Sequence, residues 1–501
     1  MRMEWALPHS ADGWRIKLRV NDTQKQAVLC LGHGKKAPIR LMVRPDGGLK
    51  MTHGRSERFL PPPEKNLANF AALNIERFLS SVIVPCRSGT GYTLDVRPTS
   101  CGRYSVWAYT PENPRGTEFA RDYFPAPDAA DIVPDVLWLE LDVPGAVEIE
   151  QVEAAPPLPE ERPHAPAVYH VGPSRGIKDL QQAAWLVRPG DMVLVDADYR
   201  HTGALALPYS GLPGLPIVYK GLGTAQKRPV IDGAFDIYAV EASGHYTVLE
   251  GFEICNAAKA GVCHHAHRLE IRDCVIHNCL MGILSDQDIG MGDCEVDRCE
   301  VYGCGHEMHS HQLYMATDEA RFPGSVVKVH DCFIHDSLGG NNIKSRARRN
   351  EIYHNRIVNA YYHNLELIGP DPEFNRAPGE QEAHNSDIWD NYFENSRWYQ
   401  FRCGGDGTGD SNGTFRFVNN TVVSDFVARE EELRVFRLMF GIRRIEAYGN
   451  RFVSRGEPSS DMVREIRTRW VDGDASENRL PGLENENSMV GGEIPAERGE
   501  K

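Results

Sequence analysis

Four side chains with acid, base or charge chemistry recur in similar short segments of the chain. They are Tyr314 in HQLYMA, Lys344 in NNIKSRA, Glu366 in HNLELIG and Arg402 in YQFRCGG. Each follows an apolar residue that would point inward from a β-strand, so alternation directs each of them outward. A lysine amine can accept a proton, a tyrosine hydroxyl can donate one, and a guanidinium can hold a carboxylate. If the four segments stack, their side chains form one outer row suited to proton transfer beside an anion.

Further polar residues accompany this row. An amide precedes each inward apolar residue, and alternation predicts that these amides also face outward, where they could bond sugar hydroxyls. Two more arginines lie on the same face, and a histidine opens the strand that carries Tyr314. We therefore expect substrate-binding roles for Gln312, Asn342, Asn364, Gln400, Arg346 and Arg437, with His311 or Tyr314 as the acid.

An internal repeat provides the elements that would stack these segments. The pattern apolar-x-apolar-x-x-[Cys/Asn]-x-apolar fits eight stretches, from TVLEGFEI (247–254) to IEAYGNRF (445–452), at intervals of 22 to 36 residues. Its central position holds Phe252, Cys274, Cys299, Cys332, Asn355, Asn391, Asn420 and Asn450. Alternation on both sides of a fixed residue indicates two short strands joined by a bend. Repeats of this length typically form a solenoid whose coils share one core.

At this point the chain resembles the right-handed parallel β-helix proteins of the pectate-lyase type, with their asparagine ladder. Segment 174–203 is similar to how that group begins, with a helix from Ser174 over the open end, then Pro189-Gly190 and a strand. The fold class predicted is all-β: a right-handed parallel β-helix (solenoid) with an N-terminal helical cap, preceded by a separate β-rich domain. The resemblance covers about 168–456.

A narrower resemblance suggests a mechanism. NNIKSRARRNEIYHNRI is similar to the Lys-Ser…Asn…Asn segment of the chondroitinase B and alginate lyase family, where a Lys on one coil works with an Arg on the next. Here Ile368 stands where that Arg would be, and the nearest outward arginine, Arg402, is one coil further on. The resemblance implies β-elimination on an acidic, uronate-containing polysaccharide, with Lys344 as the base and Arg402 as the carboxylate neutraliser. Glu366 would adjust the charge of Lys344.

The rest of the chain divides by composition. Residues 1–155 show short alternating stretches and one helical pattern near 64–80, which predicts a β-rich accessory domain. Residues 156–167 are Pro-rich and are typical of a stiff linker. The solenoid occupies 168–456, and 457–501 is expected to hold a cap helix near 459–471 and a loose tail.

Charge and hydropathy exclude some classes of function. The formal net charge of −15 argues against a nucleic-acid-coating protein, and the sequence has no apolar run that would span a membrane. We expect reduced core thiols rather than a disulfide framework. No cofactor is predicted, although DQDIGMGD (286–293) offers Asp286, Asp288 and Asp293 to Ca²⁺. A polysaccharide enzyme is expected in the periplasm or outside the cell, yet MRMEWALPHS does not look like a signal peptide. The oligomeric state is not predicted.

Other functions stay open at this point. An epimerase uses the same proton abstraction as a lyase, and a hydrolase would need two carboxylates across the strip, where only Glu366 lies in the main row. A non-catalytic carbohydrate-binding or structural module would also present such a face, because charges on neighbouring strands often simply pair.

Overall fold

The structure is a computed structural model in which two compact units are described. It describes residues 2–22, 25, 27–43, 48–59, 73–78, 84–85, 89–98, 104–110, 114–123, 132–157, 165–285, 290–319, 321–369, 384–405, 413–424, 433–439, 442, 444–454, 466–470 and 485–491. The first unit comprises Met1–Ala167 with Ala184–Leu186 and Ala206–Tyr209, and the second comprises the remaining residues.

The first unit is an antiparallel sandwich. Its strands are β1 (Arg2–Ala6), β2 (Trp14–Val20), β3 (Ala27–His33), β4 (Lys36–Val43), β5 (Gly48–Phe59), β6 (Leu73–Phe78), β7 (Val84–Pro85), β8 (Thr90–Pro98), β9 (Tyr104–Tyr109), β10 (Thr117–Tyr123), β11 (Val136–Leu141) and β12 (Val147–Ala154). One sheet has the order β1-β11-β3-β4-β5-β6, with β7 beside β5, and the other has the order β10-β9-β8-β2-β12. Alternate apolar residues of both sheets, such as Ile16, Leu94 and Leu139, share one buried core.

Ala184 and residues 206–207 are assigned to the first unit, but they belong to elements that continue in the second unit. The described residues from 168 onward form one short helix and many short strands. They are β13 (Val168–Val171), α1 (Leu180–Ala184), β14 (Met192–Asp196), β15 (Arg200–Thr202), β16 (Leu205–Leu207), β17 (Ile217–Leu222), β18 (Val230–Asp232), β19 (Tyr238–Ala242), β20 (Thr247–Glu250), β21 (Glu253–Cys255), β22 (Ala260–His264), β23 (Leu269–Arg272), β24 (Val275–His277), β25 (Met281–Ser285), β26 (Cys294–Asp297), β27 (Glu300–Tyr302), β28 (Leu313–Met315), β29 (Val327–His330), β30 (Phe333–His335), β31 (Ile343–Ser345), β32 (Arg349–Tyr353), β33 (Arg356–Ala360), β34 (Leu365–Leu367), β35 (Asn385–Trp389), β36 (Tyr392–Ser396), β37 (Phe401–Cys403), β38 (Thr414–Val418), β39 (Thr421–Ser424), β40 (Leu433–Leu438), β41 (Arg444–Ser454), β42 (Ile466–Trp470) and β43 (Asn485–Gly491).

These strands form the coils of a parallel β-helix, as the repeat predicted. Among the described residues, the first and second strands of successive coils build a 21-stranded sheet. The third strands build a 10-stranded sheet in the order β16-β19-β22-β25-β28-β31-β34-β37-β40-β42. Each third strand pairs in parallel with the next, so that Leu313, Ile343, Leu365 and Phe401 stack inside the helix.

The repeated Cys or Asn marks the bend between the first and second strands. In six coils the residue before it has a left-handed backbone conformation, with φ between 47° and 56°. These residues are Asp273, Arg298, Asp331, His354, Asp390 and Asn419. That conformation turns the chain and directs the following side chain inward. Asn391 then donates from Nδ2 to Ile352 O (2.8 Å) and Asn420 Oδ1 (3.0 Å), and accepts from the Asn355 amide (2.9 Å). Where Cys replaces Asn, the Cys332 thiol accepts the Cys299 N–H at 3.4 Å.

The cysteines of this bend are buried thiols, as expected. Cys274, Cys299 and Cys332 are not joined by disulfides, and burial raises the pKa of Cys274 and Cys299 well above the usual value. Each thiol donates to main-chain carbonyl groups, for example Cys332 to Val296 O at 3.4 Å. Cysteine therefore fills the slot as a small neutral donor rather than as a nucleophile.

The helices predicted from the sequence need correction. The N-terminal cap is only Leu180–Ala184, and Asp179 rather than Ser174 caps it, through a 2.9 Å bond to the Gln181 N–H. The prediction of a helix near 459–471 is wrong for Ile466–Trp470. These residues form a strand that pairs in parallel with β40 and extends the solenoid. The helix near 64–80 is wrong for Leu73–Phe78, which are a strand. The remaining residues of those two predictions lie outside the described ranges.

We expect Asn391→Ala to lower the free energy of unfolding by about 3 kcal/mol, because it leaves several buried main-chain and side-chain groups without partners. Asn391→Cys should cost about half as much, since Cys occupies the same slot in other coils. Urea unfolding of the two variants and the unchanged protein measures both values. Equal losses for Ala and Cys would contradict the role assigned to the bend.

We also expect the β-helix to become less stable in acid, because His264 is fully buried in its neutral form. Its Nε2 donates to Ala266 O (2.8 Å) and its Nδ1 faces the Ser285 hydroxyl (3.1 Å). Burial lowers the pKa of His264 to about 3, whereas an unfolded histidine titrates near 6.5. The unfolded state therefore binds more protons below pH 6.5, and stability falls as the pH drops from there toward 3.

The variant His264→Gln should remove part of this pH dependence. Its free energy of unfolding between pH 6 and pH 4 should fall less steeply than that of the unchanged protein, by about 1.4 kcal/mol per pH unit. Urea unfolding across that range measures the two slopes. Parallel slopes would show that His264 is not buried as a neutral ring.

Candidate functional site

The predicted outer row of chemically active residues lies in register on the 10-stranded sheet. Tyr314 pairs with Lys344, Lys344 with Glu366, Glu366 with Arg402, and Arg402 with Arg437. Neighbouring strands in such a sheet are about 4.8 Å apart, so residues from five coils lie side by side. We call Tyr314, Lys344, Glu366, Arg402 and Arg437 the charged row.

The amides placed beside this row by the sequence are not on its face. Gln312, Asn342, Asn364 and Gln400 are buried, with at most 1% of each exposed. They bond to one another along the helix, at 3.0 Å from Gln312 to Asn342, 2.8 Å from Asn342 to Asn364 and 2.6 Å from Asn364 to Gln400. The prediction that they face outward is wrong, because they precede the first residue of each strand and lie in a bend. These hydrogen bonds join successive coils, so the four amide side chains are not available to a substrate.

Three further polar residues lie one position earlier, and they are also buried, with at most 1% of each exposed. They are His311, Asn341 and His363, which we call the histidine row. Asn341 links its neighbours: its N–H donates to His311 Nδ1, and its Oδ1 accepts from the N–H and from Nδ1 of His363, all at 3.0 Å. The sequence pattern indicated His311 but not Asn341 or His363. All three could have been found from their position, because each lies two residues before an inward apolar residue.

The hydrogen bonds of Asn341 assign a neutral tautomer to each histidine. His311 Nδ1 accepts, so its proton is on Nε2; His363 Nδ1 donates, so its Nε2 carries a lone pair. Burial, followed by the nearby Lys344, lowers the pKa of His311 well below its usual value. Burial, followed by Arg402 and Arg437, does the same to the pKa of His363. Both rings are therefore uncharged at neutral pH, which makes His311 a weaker candidate acid than Tyr314.

A buried ion pair lies within the charged row and is hydrogen-bonded to the histidine row through Asn341. The Glu366 and Arg402 side chains are each only 9% exposed, and Arg402 Nη1 donates to Glu366 Oε1. Asn341 Nδ2 donates to the other carboxylate oxygen of Glu366. The positive charge of Arg402 is therefore partly compensated within the protein, and the histidine row holds the pair in one geometry.

Lys344 and Tyr314 occupy the more accessible part of the charged row. Both are half-buried, and the Lys344 amine lies 5.0 Å from the centroid of the Tyr314 ring. Arg346 is buried and donates from Nε to the Tyr314 hydroxyl (2.9 Å) and from Nη1 to Gly369 O (3.2 Å). An amine, a phenol and a guanidinium thus meet at one place on the outer face.

The far end of the charged row carries aromatic residues. Arg437 is half-buried, donates to the Tyr362 hydroxyl at 3.1 Å, and lies with its guanidinium carbon 5.9 Å from the Trp398 ring centroid. Trp398 is 37% exposed. The ring of Trp398 therefore offers an exposed apolar surface next to the cation of Arg437.

Charge distinguishes this face from the protein as a whole. Within the charged row and Arg346, four cations stand beside the carboxylate of Glu366, in a chain whose formal net charge is −15. A cationic strip on an acidic protein concentrates anions locally. The arrangement can bind an extended anion and move protons next to it.

The proposed calcium loop can be described only in part. Asp286 and Asp288 lie outside the described residues. Asp293 forms a 2.7 Å ion pair with Arg268 and accepts the Val326 N–H at 2.8 Å, so its carboxylate is already engaged.

The described helix is too short to cross a membrane, and no helix in the described ranges meets that requirement. No family model matches the sequence, and no curated protein matches it.

Solved structures share a general likeness with the chain. A crystal structure of alginate lyase from Paenibacillus sp. str. FPU-7 is 15% identical with a TM-score of 0.40, over 57% of this chain and 95% of that one. Pectate lyase Pel9A is 14% identical with a TM-score of 0.33, over 62% and 79%. A rhamnogalacturonan lyase is 12% identical with a TM-score of 0.39, over 64% and 90%. The paired strands themselves establish that the chain is a parallel β-helix protein.

Proposed function

We propose that this protein acts on an acidic, uronate-containing polysaccharide and cleaves it by β-elimination. The observation that carries the proposal is the charged row, in which an amine, a phenol and several guanidinium groups from successive coils line one outer face. A polysaccharide is itself a linear repeat, and a straight row of side chains about 4.8 Å apart suits successive sugar units. The excess of cations in the row favours carboxylate groups on those units.

The roles follow from position. Lys344, half-buried beside Tyr314, removes the proton α to the uronate carboxylate. The electrons of that C–H bond form a carbon–carbon double bond, and the bond to the glycosidic oxygen breaks. Tyr314 supplies a proton to the leaving oxygen and afterwards recovers one from solvent. The product pair is therefore an ordinary chain end and an unsaturated uronate end.

The carboxylate must be held while the proton is removed. Arg402 fills this role in the proposal, although Glu366 shares its charge, and Arg437 can contribute from the next coil. Glu366, Asn341 and His363 act as positioning residues, because they bond to the Arg402 side chain or to one another. Arg346 positions Tyr314 through its hydroxyl group.

The proposal is tested by incubating the full chain with alginate, pectate, chondroitin sulfate and hyaluronan, with dextran as a neutral control. Near-ultraviolet absorbance reports unsaturated uronate ends. We expect absorbance to rise with one acidic polymer and not with dextran. New reducing ends without absorbance would indicate hydrolysis, and retention on an acidic polymer without any product would indicate a binding module. Either outcome would reject the lyase.

A further inference from the structure

A second cluster of chemically active residues lies away from the charged row, on the outer face of the 21-stranded sheet. Asp297 ends β26 and pairs in register with His330, which ends β29 on the next coil. Asp331 follows His330 in the left-handed conformation (φ 54°) that turns the chain. Two adjacent coils therefore bring two carboxylates and one imidazole together at one bend.

The ligand atoms of these residues are spaced for a small cation. His330 Nδ1 is 3.4 Å from Asp297 Oδ1 and 2.9 Å from Asp331 Oδ2, and one such atom from each residue lies within 4.8 Å of the others. Nitrogen and oxygen ligands at about 2.1 Å from a tetrahedral ion are about 3.4 Å apart. Little movement would be needed to place an ion between them.

A separate observation concerns Asp297. Its side chain is only 6% exposed, and its Oδ1, which faces His330, accepts no hydrogen bond among the described residues. The other oxygen, Oδ2, forms an ion pair with Arg298. A buried carboxylate oxygen without a donor is costly unless an ion or a proton compensates it.

The orientation of His330 is also fixed in the way that metal-binding histidines usually require. Its Nε2 lies 3.3 Å from Glu295 Oε1, which leaves Nδ1 directed toward the two aspartates. Its ring stacks on Tyr353, with centroids 4.7 Å apart and planes within 3°. A carboxylate on the far nitrogen fixes the tautomer and raises the basicity of the ligating nitrogen.

We propose that Asp297, His330 and Asp331 form a binding site for a borderline divalent cation of the zinc and cobalt type. One nitrogen and two carboxylate oxygens suit such an ion and leave coordination positions for water, because the Asp331 side chain is 47% exposed. The ion would join two coils of the helix at their first bend. Glu295 is a positioning residue in this site, because it orients His330 without providing one of the three proposed ligand atoms.

The test uses the full chain after treatment with EDTA and removal of the chelator. Cobalt chloride is titrated in while visible absorption and calorimetry are followed, and thermal unfolding is measured with and without Co²⁺. We expect one equivalent to bind and the unfolding temperature to rise. Asp297→Asn and Asp331→Asn should weaken binding at least about 100-fold, and Glu295→Gln about tenfold. Unchanged far-ultraviolet circular dichroism in metal-free buffer shows that the variants fold.

A matched control comes from another group of possible ligands, Glu253, Cys255 and His277. His277→Gln should bind Co²⁺ as the unchanged protein does. The proposal is overturned if no Co²⁺ binds at millimolar concentration, or if both aspartate variants retain full affinity. It is also overturned if His277→Gln abolishes binding, since the ion would then lie at the other group. Asp331→Asn, at a half-exposed position, keeps the test decisive if Asp297→Asn does not fold.

Discussion

Replacing Lys344 by alanine is expected to lower the rate of uronate cleavage about a thousandfold, because the variant lacks the proposed base. The side chain is half-buried on the outer face, so the free energy of unfolding should change by less than about 1 kcal/mol. Initial rates of unsaturated-end formation measure the effect. Lys220→Ala is the matched control, since Lys220 is a lysine of the 21-stranded sheet paired with Glu250 at 2.6 Å.

The variant Lys344→Arg separates proton transfer from charge. Arginine keeps the positive charge but does not deprotonate in proteins, so it cannot act as a base near neutral pH. We expect kcat to fall nearly as far as in Lys344→Ala while KM changes little. If Lys344→Arg keeps the original kcat, Lys344 serves to bind the anion and the base lies elsewhere.

The second large effect is expected on stability, when one partner of the buried Glu366–Arg402 pair is removed. Glu366→Ala should lower the free energy of unfolding by about 3–5 kcal/mol, because it leaves a buried guanidinium without its carboxylate. It also removes the acceptor of the Asn341 side-chain amide. Urea unfolding measures the loss.

Two comparisons make that result specific. Glu250→Ala removes a partner from the more exposed Lys220–Glu250 pair and should cost less than about 1 kcal/mol. The double variant Glu366→Gln with Arg402→Met should recover much of the lost stability, because no unpaired buried charge remains. A cost below about 1 kcal/mol for Glu366→Ala would contradict a buried ion pair between Glu366 and Arg402.

Sequence alternation predicted the charged row correctly because its residues lie inside short strands. Tyr314, Lys344 and Arg402 each follow a buried apolar residue within the same strand, so the two-residue period applies. The repeat of Cys and Asn fixed the register between coils, and the parallel β-helix followed from it. These parts depend only on local pattern and on the stacking of equal units.

The prediction that the four amides face outward was wrong for a physical reason. Gln312 precedes Leu313, where β28 begins, and in the bend two successive side chains point into the helix. The residue before the amide, rather than the amide itself, bonds to the charged row, as Asn341 does to Glu366. Alternation does not predict this contact, so Asn341 and His363 were missed. Alternation has no meaning across a bend whose backbone angles the sequence does not specify.

The helical predictions failed where the solenoid provided pairing partners. Ile466–Trp470 carry residues that suit a helix as well as a strand, and they pair with β40 on the preceding coil. An exposed strand edge has unpaired main-chain groups, and a following segment can satisfy them whatever its own propensity.

The most direct test of the central claim is a crystal structure of Lys344→Ala with a bound uronate oligosaccharide. We expect the sugar chain to run along the 10-stranded sheet, with a carboxylate within hydrogen-bonding distance of Arg402 or Arg437 and a glycosidic oxygen near the Tyr314 hydroxyl. An oligosaccharide bound on the 21-stranded sheet, or in the first unit, with the charged row empty would contradict the account.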